Sequence, residues 1–113
     1  MSFVLTQSSS YTWPVTVEFP TDGGRTEKQT FDAEFRRLSQ SRLREIAQAI
    51  DTNEITDTDI ATEVLVDWSG ITDGTSEIPF SDKALRQLLD IPMVATAIVV
   101  AFFSSVNGAK RKN

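Results

Sequence analysis

The sequence predicts an α+β fold: an N-terminal antiparallel β-hairpin followed by about four α-helices packed as a small bundle. Three observations carry this expectation. Apolar residues alternate with period two up to residue 37, they recur with helical spacing from residue 39 onward, and turn formers or prolines stand where the period changes. At 113 residues the chain is one domain's worth, able to bury roughly 65% of its unfolded surface. The expected layout is a single domain over 1–113, with a hairpin region at 1–37, a helical region at 38–107 and a flexible basic tail at 108–113.

In YTWPVTVEFP the odd positions Trp13, Val15, Val17 and Phe19 share one face of a strand, and Thr12, Thr16 and Glu18 share the other. Pro20-Thr21-Asp22-Gly23-Gly24 is turn chemistry. The return strand ends in TFDAEFRRL, with Phe31, Ala33 and Phe35 on the face opposite Asp32, Glu34 and Arg36. Pro14 cannot donate to a ladder, so the first strand is expected at a sheet edge or broken there.

From Ser39 the spacing changes. Leu43, Ile46, Ala47 and Ile50 form one apolar stripe on a first helix capped by Ser39 or Ser41. Thr56 with Asp59 resembles a capping box opening a second helix, whose stripe is read as Ile60, Ala61, Val64, Leu65 and Trp68, with Gly70 as its stop. ITDGTSEIPF is a loop whose Ile78 and Phe80 are expected to tuck against the core. Ser81 caps a third helix with Leu85, Leu88 and Leu89 inward. Asp90-Ile91-Pro92 closes it, and Pro92 is expected in the first turn of a fourth.

That fourth helix lies in IPMVATAIVVAFFSSV, residues 91–106, which carry no charge. Crossing about 30 Å of hydrocarbon takes roughly twenty apolar residues. The run is shorter, and Thr96, Ser104 and Ser105 dilute it. A small membrane-active, holin-like protein inserting through residues 91–106 is therefore the alternative reading. A helix apolar on all sides is otherwise buried all round, within the domain or against a partner. In so small a domain, part of the face Met93, Val94, Ala97, Val100, Ala101 and Phe103 is expected to meet another subunit.

Composition excludes much chemistry. The chain has no Cys and no His, so thiolate nucleophiles, imidazole bases and His- or Cys-ligated metals are absent. Ten acidic residues from Glu45 to Asp82 follow one another without an intervening Lys or Arg. An acidic chain of pI near 4.6 lacks the dominant basic face that nucleic acid requires. Asp57, Asp59, Asp73 and Glu77 do not follow the calcium-loop pattern, and no enzyme, metal or cofactor is expected. The start MSFVLTQSSS has neither a basic n-region nor a secretory apolar stretch, so a cytosolic protein is the default.

The second half of the chain resembles a known family. VLVDWSGITDG is followed by a loop closing on PFS, an L-x-x-L-L-D-x-P junction, an apolar helix and NGAKRKN. In residues these are Trp68, Gly70, Pro79, Phe80, Ser81, Leu85, Leu88, Leu89, Asp90, Pro92 and positions 107–113; FRRLSQ at 35–40 also fits. Together, in order, they are similar to the tail assembly chaperones of long-tailed bacteriophages over most of residues 31–113. The resemblance implies a protein of the infected host cytoplasm, absent from the mature virion. It would bind the tape measure protein, keep it soluble and promote polymerisation of tail tube subunits around it. A frameshifted longer product that recruits the major tail tube protein is a further implication of the family. Trp68, Met93, Val94, Ala97, Val100, Ala101 and Phe103 are the candidate partner-binding residues, although large aromatics such as Trp68, Phe102 and Phe103 are more often core.

Overall fold

The computed structural model describes residues 2–108. Two strands, β1 (Ser10–Thr21) and β2 (Arg25–Arg36), pair antiparallel along their full length, from Ser10 opposite Arg36 to Thr21 opposite Arg25. The connection, Asp22–Gly24, places Gly23 and Gly24 both at φ 79°, where a Cβ would be strained. The alternation works as read: Val15, Val17, Phe31, Ala33 and Phe35 are buried on the inner face. On the outer face the Thr16 and Thr30 hydroxyls lie 2.9 Å apart and Lys28 stands 3.7 Å from Glu18. The sheet order is β1-β2-β3, so β1 and its Pro14 lie at an edge.

The third strand corrects the sequence reading. The second helix stops at Val64, and Leu65–Ser69 is β3, antiparallel to β2 with Ala33 opposite Trp68 and Phe35 opposite Leu65. A bulge between Glu34 and Phe35 shifts the register. It lets Leu65 and Trp68, three positions apart, both point inward, and a three-residue step is what a helix would also show. Helical periodicity alone favours continuing the helix. The free backbone groups along β2 favour a strand, and they prevail.

Four α-helices complete the fold among the described residues. α1 (Gln40–Asp51) is capped by Ser39, whose hydroxyl accepts from the Arg42 amide at 3.1 Å. α2 (Asp57–Val64) opens on the expected box: Thr56 Oγ1 accepts from the Asp59 amide at 3.1 Å, and Asp59 accepts from the Thr56 amide at 3.0 Å. α3 (Asp82–Leu89) is capped by Ser81. α4 (Val94–Val106) begins later than Pro92, because Met93 adopts a left-handed φ of 76° and serves as the residue before the helix. α3 and α4 consequently meet at 103°, which lets Leu85 and Val94 enter one core from both arms of the elbow.

The core lies between the inner sheet face and α2 and α4. Phe102 meets Phe35 edge to face with ring centroids 5.4 Å apart, beside Ile60, Val64 and Ile98. The loop after Gly70 folds back as expected. Trp68 donates its indole N–H to the Ile78 carbonyl at 2.8 Å and packs edge-on to Phe80 at 5.0 Å. Asp73 accepts from the backbone amides of Ser76 and Thr75, which hold its carboxyl below the usual range. The expected basic tail lies, from residue 109 on, outside the described residues.

Candidate functional site

Because α4 is uncharged from end to end, its orientation decides what the molecule displays. Ile98, Val99 and Phe102 point into the core together with Val94, which is 1% exposed. The opposite side is open: Val100 is 63% exposed and Met93 45%, flanked by half-buried Ala97, Ala101 and Phe103. Of the seven candidate residues, five therefore lie on or beside one outward surface. Val94 and Trp68 do not. Trp68 is 8% exposed and its indole is already bonded to Ile78, so it holds the loop rather than offering surface.

The structure adds residues that the sequence reading did not assign to a surface. α1 buries Ile46 fully and Leu43 by half, but Ala47 is exposed and Ile50 is 41% exposed. A cleft of about 370 Å³ separates α1 from the end of α4, lined by Gln40, Leu43, Arg44, Ala47, Phe103, Val106 and Asn107. The cleft sets Phe103 and Val106 of α4 near Leu43 and Ala47 of α1, beside the polar side chains of Gln40, Arg44 and Asn107. The signal was present in the stripe of α1, which carries more apolar positions than its packing uses.

Two polar contacts fix these walls. Arg42 forks onto Glu63 at 2.8 and 2.7 Å and reaches Glu45 at 3.0 Å, tying α1 to α2. The guanidinium holds the Glu63 carboxyl below the usual carboxylate range, and the two carboxylates raise Arg42 in turn. On the far side, Thr96 of α4 donates to Asp57 of α2 at 2.7 Å. Among the described residues no cluster of three acidic side chains is placed to hold a metal ion. No single described helix is long and apolar enough to cross a membrane; α3 and α4 pass that test only together, and they are bent by 103°.

An open apolar helix on a small α+β body suits a protein that works by holding other chains, and comparison with known families decides which kind. The family model for phage tail assembly chaperones matches residues 1–113, the whole chain. The chain belongs to this family. Neither a curated protein nor a solved structure matches the chain significantly. As a tail assembly chaperone, the molecule has tail proteins as its class of partner. The match also includes residues 1–30, the part of the chain that carried no family resemblance in the sequence beyond a short β-rich start.

Proposed function

We propose that this chaperone binds the tape measure protein, keeps its long helical segments soluble, and promotes polymerisation of tail tube subunits around it. It acts by binding and not by catalysis, in the host cell cytoplasm, and leaves before the virion is mature. The observation that carries the reading is the outward side of α4. A helix without a single charge leaves Val100 63% exposed, and its half-buried Phe103 lines a cleft toward Leu43 and Ala47 of α1. Exposed contiguous apolar area on a small soluble domain marks an interaction surface. A client helix would lie in the α1–α4 cleft by its apolar face, the helix-in-groove mode. Self-association multiplies such grooves, which suits a client of many similar segments. Neither nucleic acid nor a membrane is a partner in this scheme.

The test is co-expression of the tape measure protein with wild-type chain or with Val100→Asp/Phe103→Asp. The wild type is expected to keep the client in the soluble fraction, and the double variant to lose it while retaining its circular-dichroism strand signal. A folded double variant that still solubilises the client would remove this surface from the function.

A further inference from the structure

Between Glu45 and Gly108 the chain carries only two basic residues, Lys83 and Arg86. Both are exposed on α3, three positions apart and therefore neighbours on one face. They line a cleft of about 610 Å³ between α2 and α3, together with Thr58, Thr62, half-buried Leu89 and Asp90. Neither makes an ion pair among the described residues. The acidic side chains of α2 are engaged elsewhere: Asp57 accepts from Thr96, Asp59 from the Thr56 amide, and Glu63 from Arg42. Asp82 and Asp90 stand at the two ends of α3, and neither lies within ion-pair distance of the two cations.

A complementary feature stands at the end of α1. Ile50 is 41% exposed, and exposed Asp51 and Glu54 follow it without an ion pair among the described residues. The last turn of α1 holds no basic residue, so Asp51 sits uncompensated at the negative end of that helix. Lys83 is in the first turn of α3, at the positive end, with Asp82 beside it in the chain. Asp51 and Lys83 thus each stand at the unfavourable end of their own helix, and each would relieve the other.

We infer that a second copy of this chain seats its Ile50–Glu54 segment in the α2–α3 cleft, with Ile50 against Leu89 and the Asp51 and Glu54 carboxylates on Lys83 and Arg86. The negative end of α1 in one copy then points at the positive end of α3 in the other, so the two helix dipoles line up head to tail. Two opposite charges facing two fix the register of the contact and speed the encounter, while the apolar pair between them excludes water. The contact shares no residue with the α1–α4 cleft or with the outward side of α4. Copies can therefore assemble while the client surface stays open.

This arrangement rests on the self-association proposed above, but its test does not involve the client. Lys83→Glu/Arg86→Glu and Asp51→Lys/Glu54→Lys should each weaken self-association in sedimentation velocity about tenfold or more, because like charges then face each other. All four positions are exposed, and circular dichroism checks that both variants keep the fold. An equimolar mixture of the two variants should recover the association, since each supplies the charge the other lacks. Wild-type association should also fall as salt is raised from about 0.05 to about 0.5 M. A mixture no more associated than either variant alone would overturn the inference, as would a wild type that stays monomeric at high concentration. Val100→Asp/Phe103→Asp should self-associate as the wild type does; a loss there would place the contact on α4 and overturn it too. Client solubilisation is read in none of these measurements, so the two proposals fail separately.

Discussion

Replacing Trp68 with Ala perturbs three linked features at once. The ring is 8% exposed, packs edge-on to Phe80 at 5.0 Å, and is the donor to the Ile78 carbonyl at 2.8 Å. Truncating a buried Trp to Ala costs about 3–5 kcal/mol through lost transfer energy and residual cavity. Losing the indole donor contributes within that range, since the half-buried Ile78 carbonyl can recruit water. Against a domain stability of about 5–15 kcal/mol, that loss is a large share of the margin. At about 4 °C per kcal/mol for a domain of this size, the melting temperature should fall by roughly 12–20 °C. Urea titration followed by far-UV circular dichroism measures the loss directly. Trp68→Phe should fall in between, keeping most of the apolar volume and losing the hydrogen bond. A loss below about 1 kcal/mol for the alanine variant would refute the reasoning, because it would mean that the loop from Gly70 to Ser81 is not held by this ring.

Two further outcomes follow from the same contacts. Glu63 has a folded-state pKa below its unfolded value, so the stability it contributes is fully present above the ordinary carboxylate range and disappears as pH falls through the folded value. The pair is open to solvent, which keeps its contribution small. Glu63→Gln should therefore lower stability modestly at pH 7 and leave it less sensitive to pH between about 5 and 3, as followed by urea midpoints across pH. Gly70 ends β3 at φ +89°, and an added Cβ would meet only ordinary van der Waals distances, 3.6 Å to Phe31 Cα. The cost of Gly70→Ala is then conformational, about 1–2 kcal/mol, and thermal melting will show it as a few degrees.

Most local signals in this sequence match the structure, with Pro92 the exception because α4 starts only after the left-handed Met93. The hairpin faces, the Ser39 and Ser81 caps and the Thr56–Asp59 box all depend on residues within a few positions of one another. β3 depends instead on an open edge of β2 some thirty positions earlier, and its bulge disguises a strand as helical spacing. The candidate site shows the same division. An apolar run announced a helix with something to bury, yet a helix apolar on every side gives no clue to its rotation. That rotation is fixed by the left-handed Met93 and the elbow before it, which turn Val94 inward and Val100 outward. For α1 the stripe was legible, while its partial burial follows from how little of it the neighbouring elements reach.

The sheet described above has two edges, and neither invites another strand. β1 carries Pro14 and Pro20, which remove two amide donors from its twelve residues. On the other side β3 is five residues long, and the stretch of β2 beyond it, from Arg25 to Thr30, presents Arg25, Glu27 and Lys28. Short strands, prolines and charges each make an edge a poor template for edge-to-edge growth. In the scheme proposed above many copies gather along one client, and crowding is the working condition. With its sheet edges made unreceptive, the molecule can be concentrated through its helices without seeding the cross-strand aggregates that an exposed hairpin would otherwise promote.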